Sequence, residues 1–99
     1  MAAYVISEVG RILDQAAMER YRELASRSIE AFGGRYLVRG GDAETIEGAP
    51  PPGRIIVVEF PSMARAREWY ASADYAEALK ERKTALERRL VFVDGVPPA

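Results

Sequence analysis

The stretch GGRYLVRGG, residues 33–41, carries two arginines within a short run of β-forming residues. Successive side chains of a strand point to opposite faces, so regular alternation predicts Arg35, Leu37 and Arg39 on the same face. Arg39 is a candidate for anion binding, because its guanidinium would reach a cavity at the sheet and hold the carboxylate of a ligand or of Glu59. For both arginines, a charge that snorkels from an edge strand is the structural alternative.

Glu59 ends a β-forming run in phase with Ile55 and Val57, which makes it a candidate ligand-binding acid that is partly buried. Buried charges generally need pairing, so a structural partner for an arginine is the favoured interpretation of this residue.

Three aromatic residues, Trp69, Tyr70 and Tyr75, are candidates for the wall of a ligand pocket. Aromatic side chains at helical spacing more often belong to the core, and the same applies to Tyr4 and Tyr21. Without a base close by, a tyrosine hydroxyl is a hydrogen-bond donor before it is an acid catalyst.

Arg82 is the last candidate, because it shares an apolar helical stripe with Leu79 and Leu86. Three interpretations stay open for its charge. The side chain snorkels to solvent, is held by a carboxylate or backbone carbonyls, or binds an anionic ligand.

The residue types that are absent exclude several chemistries. The chain has no cysteine and no histidine, which excludes thiolate and imidazole catalysis, zinc held by these ligands, and haem with an axial histidine. It also lacks a glycine-rich phosphate loop, so we predict a protein without metal, flavin or haem. Carboxylates, hydroxyls, tyrosines and cationic side chains remain for any chemistry.

Charge and hydropathy limit the partners. The 14 basic and 15 acidic residues nearly cancel and form no cationic block with interleaved aromatics, so we expect no nucleic-acid partner. The N-terminus lacks the basic region of a signal peptide, and no stretch approaches the roughly 20 apolar residues of a membrane span. Because the absence of disulfides fits a reducing compartment, we expect a cytoplasmic protein without a membrane partner.

The length of 99 residues predicts one domain covering residues 1–99. Periodicity and turn residues predict the order strand, helix, strand, strand, helix, strand. The second helix is expected to break at ASAD, and GAPPPG and VPPA are expected to be an exposed turn and a tail. The predicted elements are a strand at 2–9, a helix from the N-cap Asp14 to Gly33, a strand from 35 that continues through AETIE, a strand at 54–60, a helix with caps at Ser62 and Ser72, and a strand at 89–95.

With right-handed crossovers, this order gives a ferredoxin-like α+β fold, βαββαβ, with a four-stranded antiparallel sheet and helices on one face. The third strand, RIIVVEF, is nevertheless apolar on both of its faces. We therefore predict a homodimer in which the open sheet faces of two copies pack together, as in a dimeric α/β barrel.

GGRYLVRGG, then EFPS at 59–62, then WYASADY at 69–75 followed by Arg82, resemble in order and spacing the family catalogued as domain of unknown function 1330. The resemblance covers almost the whole chain. This family belongs among the dimeric α/β barrels, whose relatives include cofactor-independent monooxygenases, isomerases and haem-degrading enzymes. The resemblance therefore implies the fold and the dimer but no particular reaction. Many members are expected to have a histidine where this chain has Phe32, so a general base at that position is impossible here.

Two classes of function follow. In the first, the dimer is an enzyme that acts without a cofactor on a small, partly apolar, anionic or carbonyl-bearing molecule, using positioned Arg, Glu and Tyr groups. In the second, the same cavity only binds a small ligand, or the protein is a structural dimeric module. Catalytic turnover separates the two classes.

Overall fold

The computed structural model describes residues 1–50 and 53–97. The four strands form one antiparallel sheet in the order β2-β3-β1-β4, which confirms the predicted ferredoxin-like α+β fold. The elements are β1 (Ala3–Ile12), α1 (Gln15–Ala31), β2 (Arg35–Arg39), β3 (Arg54–Phe60), α2 (Met63–Tyr70), α3 (Ala73–Ala85) and β4 (Leu86–Asp94). None of these helices is long and apolar enough to cross a bilayer.

Each helix begins at the N-cap that its sequence predicts. The side chains of Asp14, Ser62 and Ser72 accept hydrogen bonds from backbone N–H groups three residues further along, at 3.1 Å in each case. These bonds satisfy donors that the first turn of a helix leaves without an intrahelical partner. The cap at Ser72 also explains the predicted break, because it starts α3 immediately after α2 ends at Tyr70.

The sheet has one covered face and one open face. Along β1, alternate side chains face the helices and are buried, namely Ala3, Val5, Ser7 and Val9. The core forms where this face packs against the three helices, and it includes Tyr21, Phe60, Trp69 and Tyr75. On the open face, Val91 and Val93 of β4 are exposed, while Ile55 and Val57 of β3 are half-buried.

A bulge in β2 separates the two arginines of the opening stretch. Arg35 lies opposite Glu59 on the open face, but the register shifts between residues 36 and 38, and Arg39 then lies opposite Ile56 on the covered face. The prediction that both arginines share one face was therefore wrong. An extra residue in one strand reverses the alternation of every side chain beyond it.

Three strand boundaries also differ from the predictions. β1 continues to Ile12 and β4 already begins at Leu86, so the apolar helical stripe of Arg82 does not extend to residue 86. β2 ends at Arg39 and does not continue through residues 43–47. The backbone N–H of Gly40 makes a last bond to β3, at 3.0 Å from the carbonyl oxygen of Ile55. The positive φ of Gly40, 74°, then turns the chain away from the sheet.

Two predicted segments fall partly outside the described residues. The turn GAPPPG includes Pro51 and Pro52, and the tail VPPA includes Pro98 and Ala99.

Close packing at Gly34 gives a first test of this fold. A Cβ atom added to Gly34 would lie 2.7 Å from Cγ2 of Ile29 and 2.8 Å from Cε1 of Phe60, whereas a Cβ at Gly41 would meet nothing within 4 Å. We expect Gly34→Ala to lower the free energy of unfolding by about 1–3 kcal/mol, the usual cost of overpacking. Chemical denaturation should show this loss, with Gly41→Ala as the matched control. Equal stability of the two variants would contradict the packing of α1 on β3.

Candidate functional site

A cavity of about 270 Å³ lies between α1 and the covered face of the sheet. Ligand pockets usually enclose about 300–1,000 Å³, so this one suits a molecule of about one aromatic ring. Its walls are mostly apolar. The sheet contributes Val5, Val9, Ile56, Val58 and Leu90, and α1 contributes Met18, Ala25 and Ile29.

Two tyrosines and one arginine meet at the side of the cavity below α3, and we call them the Tyr–Arg cluster: Tyr21, Tyr75 and Arg88. The Nη1 and Nη2 groups of Arg88 donate to the hydroxyl oxygens of Tyr21 and Tyr75, each at 2.7 Å. The two hydroxyl oxygens lie 2.8 Å apart and share a further hydrogen bond. The cluster thus connects α1, α3 and β4 through one guanidinium group.

Within the cluster, one of the two tyrosine hydroxyl protons has no acceptor. Each tyrosine oxygen accepts from Arg88, and the bond between the hydroxyls uses one of their two protons. Tyr75 is fully buried, whereas Tyr21 lines the cavity. When Tyr75 donates to Tyr21, the fully buried hydroxyl has an acceptor for its proton, and the proton that remains belongs to Tyr21, which lines the cavity.

Burial and the contacts within the cluster determine which of its groups are charged. Desolvation by burial raises the pKa of the Tyr21 hydroxyl far above its ordinary value, and the adjacent Tyr75 raises it further. Burial disfavours the charged form of Arg88, but Tyr21 and Tyr75 outweigh this effect and raise the pKa of Arg88. Tyr21 is therefore a neutral hydrogen-bond donor, and Arg88 is a permanent cation.

Two further polar groups, which belong to residues of the cavity lining, have no protein partner among the described residues. The hydroxyl oxygen of Ser7 and the Nε of Arg88 are buried and make no hydrogen bond with the described residues. Ser7 is only 4% exposed, in the middle of β1, which is one of the two inner strands. Buried polar groups are nearly always hydrogen-bonded, so such groups at a cavity mark positions for ligand or water atoms.

Trp69 supplies an aromatic wall of the cavity and is itself fixed by hydrogen bonds. Its Nε1–H donates to the Ser28 hydroxyl at 2.9 Å, and that hydroxyl donates to the carbonyl oxygen of Ala25 at 2.8 Å. The Trp69 ring also packs on Tyr75, with ring centroids 4.2 Å apart. The indole therefore presents a rigid apolar surface next to the Tyr–Arg cluster.

Three further arginines line the opposite side of the cavity, and we call them the arginine edge: Arg22 on α1, Arg39 on β2 and Arg54 on β3. Arg39 donates from Nη2 to the Ser26 hydroxyl at 2.9 Å, and its guanidinium stacks on the ring of Tyr36, 4.2 Å from the ring centroid. No carboxylate lines the cavity within the described part of the chain. Residues 1–50 and 53–97 also contain no group of three or more side chains that could hold a metal ion.

The predicted site residues are divided between two regions. Arg39 and Trp69 line the cavity, and Tyr75 belongs to the Tyr–Arg cluster. Glu59 lies on the open face, where it accepts a hydrogen bond from Nε of Arg35 at 2.8 Å. Of the two alternatives for Arg39, the one in which it holds Glu59 is therefore wrong, because the β2 bulge moves Arg39 to the other face.

The remaining two candidates lie outside the cavity lining. Tyr70 is 41% exposed and packs edge-on against Trp69, with ring centroids 6.0 Å apart. Arg82 is half-buried near the C-terminus of α3, where its side chain makes no ion pair or hydrogen bond with the described residues.

Sequence reasoning missed Arg88 and Ser7 and assigned Tyr21 to the core. A usable signal existed for Arg88, which is in phase with Leu90 and Phe92 and therefore faces the helices. The predicted strand began one residue too late to include it.

Comparison with solved structures defines the class of fold. A protein of unknown function from Rhodopseudomonas palustris is 23% identical, with a TM-score of 0.73 over 98% of this chain and 84% of that chain. The protein Rv0793 from Mycobacterium tuberculosis is 16% identical, with a TM-score of 0.59 over 100% and 99% of the two chains. An antibiotic biosynthesis monooxygenase is 14% identical, with a TM-score of 0.54 over 98% and 100%. These similarities show a shared fold.

Within this class, the chain belongs to the family described as Domain of unknown function (DUF1330), whose profile matches residues 2–96. No curated protein matches the chain. The fold and the family that the sequence resemblance implied are thereby confirmed.

The Tyr–Arg cluster gives a second test. Tyr75→Phe removes a fully buried hydroxyl that accepts a hydrogen bond from a charged guanidinium, so we expect a loss of about 2 kcal/mol in the free energy of unfolding. Tyr70→Phe is the matched control, because its ring is partly exposed and its hydroxyl makes no hydrogen bond with the described residues. Denaturant titration of both variants measures the difference. A loss at Tyr75 no larger than that at Tyr70 would show that the cluster does not hold α3 on the sheet.

Proposed function

We propose that this protein is an enzyme that uses no cofactor and acts on a small, mostly apolar molecule bearing a carbonyl or phenolic oxygen. The substrate oxygen occupies the cavity beside the Tyr–Arg cluster. Tyr21, Arg88 and Ser7 then bind this oxygen and stabilise the negative charge that develops on it during the reaction.

One observation carries this proposal: polar groups without a protein partner belong to residues that line a mostly apolar cavity. The Tyr21 hydroxyl has a proton to donate, and Arg88 Nε and Ser7 Oγ are buried without a partner among the described residues. Donors that are already oriented lose little energy to reorganisation when charge develops on a substrate oxygen. A nearby permanent cation favours the anionic form of that oxygen.

The titratable residues that line the cavity support stabilisation of an anion more than proton abstraction. They are tyrosines and arginines, and Tyr21 stays protonated because burial raises its pKa. Such a site favours substrates that ionise readily, such as phenols and enolisable carbonyl compounds. The name of one similar structure, an antibiotic biosynthesis monooxygenase, also supports chemistry on a small organic molecule.

A coloured phenol tests the anion site directly. We expect ortho-nitro-para-cresol to bind as its yellow phenolate, so that the bound probe ionises at lower pH than the free probe does. Arg88→Met and Tyr21→Phe should each weaken binding about tenfold, because each removes a hydrogen bond to a charged oxygen. Absorbance titration at several pH values measures both the affinity and the ionisation of the probe.

Arg67→Met is the control variant, because Arg67 is exposed on α2 and does not line the cavity. Unchanged binding in Tyr21→Phe and Arg88→Met would overturn the proposed anion site. Catalysis needs a second measurement with the same proteins, namely exchange of the α-protons of phenylacetone in heavy water, followed by NMR. In this exchange, solvent deuteroxide removes the proton, the Tyr–Arg cluster stabilises the enolate oxygen, and solvent returns a deuteron. Tight binding without faster exchange would favour the alternative function, a protein that only binds its ligand.

The open face of the sheet supports a second part of the proposal, a homodimer. Val91 and Val93 are 36% and 42% exposed there, on the same face as the half-buried Ile55 and Val57. A second copy would cover this apolar surface, and the same patch on both copies allows a two-fold interface. The resemblance to dimeric α/β barrels supports the same assembly.

Light scattering measures this assembly. We expect a dimer at micromolar concentration and a folded monomer for Val91→Glu, since a carboxylate in the middle of the interface would be buried without a partner. Val96→Glu is the matched control, because Val96 is 91% exposed outside the sheet. A monodisperse, folded wild-type monomer would refute the dimer without affecting the proposed cavity chemistry.

A further inference from the structure

We infer that the ligand of this cavity carries a second anionic group, a carboxylate, which the arginine edge binds at the end opposite the Tyr–Arg cluster. This inference rests on the proposed function and narrows the substrate class to aromatic or similarly apolar carboxylates with a phenolic or carbonyl oxygen at the far end.

The strand register places cations on both sides of the apolar floor. Arg88 of β4 and Arg54 of β3 both lie opposite Val9 of β1, one from each side. The adjacent row across the sheet runs from Arg39 of β2 through Ile56 of β3 and Ser7 of β1 to Leu90 of β4. Neighbouring strands are about 4.8 Å apart, so the backbones of Arg54 and Arg88 are about 10 Å apart across the floor.

The arginine edge has no carboxylate partner among the described residues. Residues 1–50 and 53–97 form six ion pairs, whose cations are Arg20, Arg27, Arg35, Arg65, Lys80 and Arg89. The four arginines that line the cavity belong to none of these pairs. The pairing of charges elsewhere, together with the lack of acidic lining residues, leaves an excess of positive charge at this cavity.

Contacts with Ser26 and Tyr36 orient Arg39 within the arginine edge. Ser26 follows Arg22 by one helical turn on α1, and its hydroxyl accepts from Nη2 of Arg39 at 2.9 Å. The Ser26 hydroxyl also lies 3.2 Å from the hydroxyl of Tyr36, on whose ring the Arg39 guanidinium stacks. Stacking and this hydrogen bond orient the guanidinium and leave its other N–H groups for a carboxylate, which arginine binds with two parallel hydrogen bonds.

The two ends of the cavity differ in exposure, which sets the orientation of the ligand. Arg39 and Arg54 are exposed, whereas Tyr75 and Ser7 at the other end and on the floor are buried. A carboxylate is costly to desolvate and fits the wet arginine edge. A phenolic or carbonyl oxygen fits the buried end, where Arg88 stabilises its anionic form.

Two probes that differ only in a carboxylate test this inference. The first is ortho-nitro-para-cresol, and the second is its analogue in which the methyl group carries a carboxylate. We expect wild-type protein to bind the carboxylate probe about tenfold more tightly, and this advantage should shrink as salt concentration rises. The variants Arg39→Met and Arg54→Met, singly and together, should lose the advantage while binding the cresol probe as wild type does.

The control and contrary outcomes separate the two ends of the site. Arg67→Met should keep the full advantage, and Tyr21→Phe should weaken both probes equally. Equal binding of the two probes by wild-type protein would overturn this inference and leave the proposed function intact. Binding of neither probe would overturn both, and an advantage that survives in the double variant would show that the carboxylate is not held by Arg39 and Arg54.

Discussion

A sheet with helices on only one face is the constraint on which the rest of this structure depends. Each side chain of a strand must face either the helices or the open side, since alternation permits nothing else. On the covered face, the core and the cavity form around Val5, Ser7 and Val9. On the open face, polar ladder pairs such as Arg35–Glu59 and Arg89–Glu8 flank apolar residues that a second copy would cover.

The same division explains why one inserted residue matters so much in β2. The bulge before Arg39 transfers its guanidinium from the open face to the cavity, where it stacks on Tyr36. Arg35, on the other side of the bulge, stays on the open face and pairs with Glu59. Bulges commonly redirect a side chain close to a functional site, and here the redirected side chain completes a second cationic side of the cavity.

Burial of the Arg88 guanidinium connects folding to the proposed chemistry. A cation inside a protein must be surrounded by acceptors, and here two tyrosine oxygens supply them in place of a carboxylate. Because neutral partners leave the positive charge uncompensated, Arg88 can still attract an anionic oxygen. A carboxylate in the same position would have compensated the charge and removed that attraction.

The sequence by itself determined what short-range interactions control. The caps at Asp14, Ser62 and Ser72 act over three residues, and their helices begin where the sequence indicates. Strand order follows from the sequence of elements and the handedness of their connections. Only the tertiary structure decided the bulge in β2 and the partners of Arg88, which is 67 residues from Tyr21 along the chain. The reason is physical: such contacts depend on register and packing between distant segments, which no local pattern of residue types specifies.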